Sequence, residues 1–195
     1  MAKIYLIGDE KYSFSQTAKV LTEDVEIFQL RLKSASEELF YQEAIKYQKL
    51  CRERGITFII NDHLHIAKAI NADGLHIGQG DLSFAFCKER FPDKIIGLTV
   101  GNEKEAKEAF LWGVDYIGLG AMYETSTKKN ATVIGLKPLK EIAKIATCNL
   151  VAIGGINTTN FQAVYDAGAD MLAVSGAVLG SENPAEVLKT LRGER

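Results

Sequence analysis

Two aspartates, Asp62 and Asp81, each stand just past a short apolar run, in NDHLHIA and in LHIGQGDL. Carboxylates in ones and twos are how Mg²⁺ is usually held, with substrate phosphates and waters completing its octahedron. Upstream, EIFQLRLK alternates strictly: Phe28, Leu30 and Leu32 fall on one face, and Ile27, Gln29, Arg31 and Lys33 on the other. Its two cations suit a diphosphate. Downstream, GAMYETSTKKNAT at 120–132 has no periodicity and is rich in hydroxyls and lysine. Thr125, Ser126, Thr127 and Lys128 fit an anion clamp able to close over a substrate. Near the end, Gly154-Gly155 and Ser175-Gly176 each follow a short apolar run. Glycine there lets backbone N–H groups approach an anion closely. Two subsites emerge: cations with two carboxylates for a Mg²⁺-bound diphosphate, and glycine turns with hydroxyls for a phosphate monoester. Two phosphorylated substrates, one a metal-activated diphosphate, point to displacement of that diphosphate.

Such residues, far apart in sequence, need a frame that brings them to one edge. The stretch 150–177 has the order strand, glycine turn, helix, strand, glycine turn: a βαβ unit with parallel strands. The same alternation runs through the chain. Strands are predicted at Lys3–Ile7, Glu26–Lys33, Thr57–Ile60, Gly74–Ile77, Ile95–Thr99, Tyr116–Leu119, Leu150–Ile153 and Met171–Val174. Ser15 is placed as the cap of a first helix ending near Leu21, and Ser36 opens a long helix stopped by Gly55. Further helices are expected at Leu64–Ile70, Leu82–Arg90, Glu103–Trp112 and Leu136–Ala146, from Thr159, and from Pro184 to about Leu191. Eight strands, each followed by a helix, with no linker between them, argue one compact (β/α)₈ barrel domain over 1–195. In that fold the active site lies at the carboxyl ends of the strands, and phosphate is gripped after the last two. A dinucleotide-binding fold is excluded, because GDEKYS after the first strand carries no glycine fingerprint.

Blander readings exist for several of these residues. Asp62 and Asp81 could simply cap helices, as aspartate often does. EIFQLRLK could be an exposed edge strand. His63 and His65, two apart on a helix, should face different directions, which speaks against a zinc site; both are expected to be solvated. His76 is placed differently, facing inward between Leu75 and Ile77.

With 195 residues there is room for one sizeable core, and 47% hydrophobic with 25% charged residues is an ordinary globular composition. A net charge of -2 argues against a nucleic-acid binder relying on a basic face. Cys51, Cys87 and Cys148 are scattered and odd in number, which suits reduced thiols. No signal peptide precedes the first strand and no apolar run is long enough for a bilayer, so the expected location is cytoplasmic.

QLRLK, NDHLHIA, ADGLHIGQGDL, DYIGLGAMYETSTKK, VAIGGI and AGADMLAVSGA, in this order and spacing, resemble the thiamine phosphate synthase (thiamine phosphate pyrophosphorylase) family over nearly the whole chain. The resemblance implies a transferase. It would join 4-amino-2-methyl-5-(diphosphooxymethyl)pyrimidine to a thiazole phosphate, releasing diphosphate and giving thiamine phosphate. It implies that Gln29, Arg31, Lys33 and Asn61 hold the pyrimidine diphosphate, with Leu30, Leu32, His76 and Thr99 also among the substrate-binding residues. Asp62 and Asp81 would bind Mg²⁺, and Arg31, Lys33 and Lys128 would act on the departing diphosphate. Thr125, Ser126, Thr127, Gly154, Gly155, Val174 and Ser175 would hold the thiazole phosphate. Relatives are often homodimers. Thr99 stands where serine is usual, Ala121-Met122 where Pro-Ile is commoner, and the first loop is short. A related thiazole tautomerase shares the barrel but typically lacks the two aspartates, and carries a histidine where this chain has Ala121. A catalytically inactive ligand-binding barrel is the remaining alternative, though each expected charged group is present.

Overall fold

The computed structural model describes residues 2–125 and 132–194. Its strands are β1 (Lys3–Gly8), β2 (Ile27–Leu30), β3 (Thr57–Asn61), β4 (Gly74–Ile77), β5 (Ile95–Val100), β6 (Tyr116–Gly120), β7 (Asn149–Ile153) and β8 (Met171–Val174). Each pairs in parallel with its sequence neighbours, and β8 returns to β1 to close a barrel. The helices among the described residues are α1 (Phe14–Val20), α2 (Glu37–Arg54), α3 (Leu64–Ala69), α4 (Phe84–Arg90), α5 (Glu103–Trp112), α6 (Leu136–Ala143), α7 (Phe161–Asp166), α8 (Gly176–Leu179) and α9 (Pro184–Arg192). The (β/α)₈ barrel expected from the sequence is therefore the observed architecture. None of these helices is long and apolar enough to cross a membrane.

The period of two along each strand divides the apolar residues between two cores. Phe28, Leu30, Phe58, Ile60, Leu75, Ile77, Ile96, Leu98 and Ile117 face outward and pack under the helices. Tyr5, Ile7, Ile27, Ile59, Tyr116, Val151, Met171 and Ala173 fill the barrel. Room for Tyr116 comes from its register partner on β5, Gly97. A Cβ on Gly97 would lie 1.9 Å from Tyr116 Cζ.

Four carboxylates at the amino rim stitch the strands in pairs. Glu26 accepts from Ile4 N–H (2.6 Å), Asp73 from Phe58 N–H (2.9 Å), Asp115 from Ile96 N–H (2.8 Å) and Asp170 from Leu150 N–H (2.8 Å). Each acid stands just before an even-numbered strand and ties down the odd strand preceding it. Charge-assisted bonds of this kind contribute about 1.5–3 kcal/mol each when well shielded.

Local chemistry moves several predicted boundaries. Ser13, not Ser15, caps α1: its hydroxyl accepts from Gln16 N–H, and the Gln16 side chain accepts from Ser13 N–H. β2 ends at Leu30 rather than Lys33, so Arg31 and Lys33 sit on the loop beyond the ladder. α4 begins at Phe84 because the Ser83 hydroxyl accepts from Phe86 N–H. α7 is shorter than its pattern, opening at Phe161. The one-turn α8 was not foreseen; it directly follows Ser175.

Placing a methyl at residue 97 should test the filled interior. Gly97→Ala is expected to lower unfolding stability by about 1–3 kcal/mol, read from the urea midpoint. The same change should cost less when made in a Tyr116→Leu background, where the opposing ring is gone, whatever that background loses by itself; an unchanged midpoint in the single variant would contradict this packing.

Candidate active site at the carboxyl rim

Inside the barrel, polar side chains on five strands are joined in one hydrogen-bonded chain. Gln29 Nε2 donates to Tyr5 Oη (3.2 Å), and Tyr5 Oη lies 2.7 Å from Tyr116 Oη. Tyr116 Oη is 2.9 Å from His76 Nδ1, and His76 Nε2 is 2.8 Å from Thr99 Oγ1. Burial pushes both phenol pKa values up, so each tyrosine keeps one proton to give. Burial also depresses the His76 pKa to about 4, with Asp81 pulling it up and Arg31 and Lys33 pushing it down. The imidazole is therefore neutral at neutral pH, with one proton on one nitrogen.

One arrangement gives every proton in the chain an acceptor. Tyr5 accepts from Gln29 and gives its proton to Tyr116, Tyr116 gives its own to His76 Nδ1, and the imidazole proton on Nε2 goes to Thr99 Oγ1, leaving the Thr99 hydroxyl proton for a group beyond the chain. In that arrangement Thr99 is a donor near the mouth, and its backbone carbonyl is held by Gln79 Nε2 (2.7 Å). Gln29, His76 and Thr99 were singled out in the sequence; Tyr5 and Tyr116 were not. Their signal was present: Tyr5 shares the parity of Lys3 and Ile7, and Tyr116 opens a strand opposite a glycine.

Above this chain stand the charged groups. Asn61 is buried and registers with His76. Asp62 follows it in left-handed backbone, with φ 64°, its N–H donating to His76 O at 2.9 Å. Lys33 Nζ pairs directly with the Asp62 carboxylate; that lysine side chain is 49% exposed. Asp81 accepts from Gly78 N–H at 2.7 Å, closing the turn after β4. Neither aspartate caps a helix, since His63 and Ser83 occupy those positions. The capping alternative is thereby removed for both. EIFQLRLK is likewise no exposed edge, as β2 pairs on both sides.

A further group, Glu10 on the β1–α1 loop, escaped the sequence reading. It accepts from Lys33 N–H (2.8 Å) and from Ser34 Oγ (2.9 Å). Burial works to raise the Glu10 pKa, but these bonds and the charge of Arg31 bring it below its ordinary value. The loop carrying the two cations is thus held from the first strand's side. Leu30 and Leu32 turn their side chains into the outer core, as does Val174. These three offer a substrate backbone alone.

At the opposite side of the mouth, Ser175 Oγ is buried and has no hydrogen-bond partner among the described residues. A buried hydroxyl without a partner is costly, and a ligand oxygen would satisfy it. Gly154 and Gly155 have φ of 98° and 66°. Their glycine identity has a second cause besides anion approach. A Cβ on Gly154 would lie 2.5 Å from Ala121 Cβ, and one on Gly155 would lie 2.4 Å from Glu124 O. The stem of the β6–α6 loop is laid on this turn, with Met122 N–H donating to Ile153 O (2.9 Å) and Tyr123 N–H to Gly154 O (3.0 Å). Thr125, half-buried, ends that stem. Ser126, Thr127 and Lys128 lie outside the described residues.

The donor set around Asp62 and Asp81 suits a hard divalent cation. Both carboxylates sit at carboxyl ends of neighbouring strands, and the ammonium of Lys33 already serves as a cation against Asp62. One expectation about the histidines fails: His63 and His65 do not diverge. His63 precedes α3 with φ -83° and ψ 76°, outside helical geometry, and the two rings lie 5.8 Å apart.

The His76 geometry has a consequence for stability. Its folded pKa of about 4 lies below the ordinary 6.5, so the unfolded chain binds the extra proton between these values. This contribution is complete above about pH 6.5 and disappears as pH falls towards 4. Unfolding free energy measured by urea from pH 7 to pH 4 should fall less steeply in His76→Gln than in the parent, by up to about 3 kcal/mol. Parallel curves would contradict a buried neutral imidazole.

Comparison with known proteins gives this site a context. A family model described as thiamine monophosphate synthase matches residues 4–178. A thiamine-phosphate synthase of Methanococcus maripaludis (strain C5) is 41% identical over 183 residues, covering 93% of this chain and 88% of the relative. That of Pyrococcus horikoshii is 36% identical over 192 residues, covering 97% and 93% respectively. Among solved structures, a thiamine phosphate pyrophosphorylase from Pyrococcus furiosus aligns with a TM-score of 0.89 at 33% identity, over 98% of this chain and 94% of that one. With a family model spanning most of its length and relatives at this identity, the chain belongs to the thiamine monophosphate synthase family.

Proposed function

We propose that this chain joins 4-amino-2-methyl-5-(diphosphooxymethyl)pyrimidine to a thiazole phosphate, forming thiamine phosphate and diphosphate. The observation that carries the reading most is the pairing of Lys33 with Asp62 at the rim where Asp81 also lies. Cations and carboxylates meet there without cancelling into the core, which suits a metal-bound diphosphate better than any neutral ligand.

In this reading Gln29, Asn61, His76 and Thr99 orient the pyrimidine. The hydrogen bonds beneath them hold the Thr99 hydroxyl in place, and burial keeps the imidazole neutral. Arg31 and Lys33 hold the diphosphate, and Lys128, outside the described residues, is assigned to neutralising it as it departs. Asp62 and Asp81 would hold Mg²⁺, which when bound neutralises charge on the leaving group. The carbon–oxygen bond breaks first, its electron pair departing with the diphosphate and leaving a pyrimidine carbocation. The thiazole nitrogen then gives its lone pair to that carbon. Preorganised cations around a departing anion contribute the largest share of such catalysis. Ser175, with Thr125, Ser126, Thr127 and the Gly154-Gly155 turn, fixes the thiazole phosphate, and the loop at 125–128 keeps water from the cation.

Small-molecule substrates, a cytoplasmic setting and a second copy in a homodimer belong to the same reading. A thiazole tautomerase is disfavoured because buried Ala121 offers no imidazole after β6. An inactive ligand-binding barrel is disfavoured because the charged groups that the chemistry needs, Lys33, Asp62 and Asp81, are kept at the rim.

Purified protein mixed with both substrates and Mg²⁺ should yield thiamine phosphate, detected as its thiochrome derivative. Chelation should abolish product, and Asp81→Asn should lower kcat about a hundredfold or more. Metal-independent isomerisation of a thiazole substrate alone would instead identify a tautomerase, and ligand binding without turnover an inactive barrel.

A further inference from the structure

Outside the rim pair, Glu37, His63 and His65 bring one carboxylate oxygen and two imidazole nitrogens within 4.8 Å of one another. This is the one such group of three or more potential ligands among the described residues. Two separate segments build it. Glu37 is the first residue of α2, whereas His63 and His65 flank the start of α3. His63 is positioned by its ring, 4.4 Å from that of Phe40 on α2, and its non-helical backbone turns it towards His65. His65 Nε2 already lies 3.2 Å from a Glu37 carboxylate oxygen. That is close to the separation of about 3.3 Å between two ligand atoms in a tetrahedron with metal–ligand bonds near 2.0–2.1 Å. A cleft of ≈ 420 Å³ opens beside the two histidines, lined also by Asp62, Lys68, Leu82, Phe86 and Arg90, and gives an additional ligand access.

The donor chemistry selects the ion. Two imidazoles, which are borderline ligands, joined by one carboxylate favour zinc-class divalent cations, whereas Mg²⁺ prefers an all-oxygen shell. Without a metal, the His65–Glu37 contact is an exposed pair, and such pairs contribute little on their own. With one, the proton between them is replaced by an ion that also recruits His63. We propose that Glu37, His63 and His65 form a site for a single zinc-class cation, clamping the first turn of α2 to the β3–α3 turn. The clamp joins the segment just after Lys33 to the residue just after Asp62, so its occupancy bears on the mouth without supplying a group to it. The site stands whatever the rim aspartates bind.

Cobalt distinguishes this site because its visible absorption is strong in tetrahedral and weak in octahedral coordination. Metal-stripped protein in excess Mg²⁺, which saturates all-oxygen sites, would be titrated with Co²⁺ and then with Zn²⁺ as competitor. One equivalent of tetrahedral-type absorption, displaced by Zn²⁺, is expected. In Glu37→Gln and in His65→Asn, both exposed positions that leave the barrel intact, the apparent affinity should fall about tenfold or more. Asp81→Asn should bind cobalt as the parent does. Octahedral-type absorption alone, or equal affinity in the parent and both variants, would overturn the proposal.

Discussion

A polar side chain inside a closed barrel has little water to pair with, and this constraint shapes the molecule from its centre outward. The interior resolves it with one continuous chain, Gln29–Tyr5–Tyr116–His76–Thr99, drawn from five strands that are not consecutive around the wall. Each hydroxyl has one proton, so the bonds at one end constrain those that can be made at the other. Removing a link would strand its neighbours in a low dielectric, where an unmade hydrogen bond costs about 1–3 kcal/mol. The chain also sets sizes: Tyr116 needs the space a glycine leaves at residue 97. Rigid polar groups below and charged groups above follow from this single arrangement.

The acidic residues are divided between the two ends of the barrel. At the amino rim, Glu26, Asp73, Asp115 and Asp170 each accept a backbone N–H from the preceding strand. Their negative charge is spent on the ladder. At the carboxyl rim, Asp81 closes its own turn while Asp62 faces the Lys33 ammonium. The parallel topology makes this separation possible, because every strand begins at one rim and ends at the other. Residues before a strand serve cohesion, and residues after it serve chemistry.

That same topology explains what could be seen in the linear chain. Alternation in EIFQLRLK correctly assigned Leu30 and Leu32 to the outer core and Gln29 to the inside, because period two survives any tertiary context. The extent of β2 was overestimated, since alternation continues past Leu30 although the ladder does not. Side chains whose partners lie on distant strands were invisible: nothing local marks Tyr5 as the neighbour of Tyr116. Glu10 escaped for the same reason, its contacts being some 23 residues away in the chain. The divergence expected of His63 and His65 failed because it assumed both were helical, and a capping position obeys no helical spacing. The repeated aspartate before a strand, in ADG, VDY and ADM, was on view but has meaning only once neighbouring strands are paired.

The pairing of Lys33 with Asp62 makes sense of why β2 stops where it does. Were Arg31 and Lys33 still in the ladder, their side chains would be fixed by the pleat. Beyond Leu30 they are carried by a loop that Glu10 anchors through backbone and hydroxyl groups, leaving the ammonium free to move. Its bond to Asp62 is half exposed and therefore contributes little, so exchanging partners costs little. In the proposed reaction Lys33 turns to the diphosphate, and Asp62, with Asp81, would hold Mg²⁺. Each member of the present ion pair then has a new partner of opposite charge. A tighter, fully buried pair would have stabilised the empty site at the expense of the loaded one, because both ions would then have to be separated in a low dielectric. Loose cations above an immobile hydrogen-bonded interior are thus complementary requirements: the interior orients an uncharged ring, and the rim must yield to an anion that arrives and leaves.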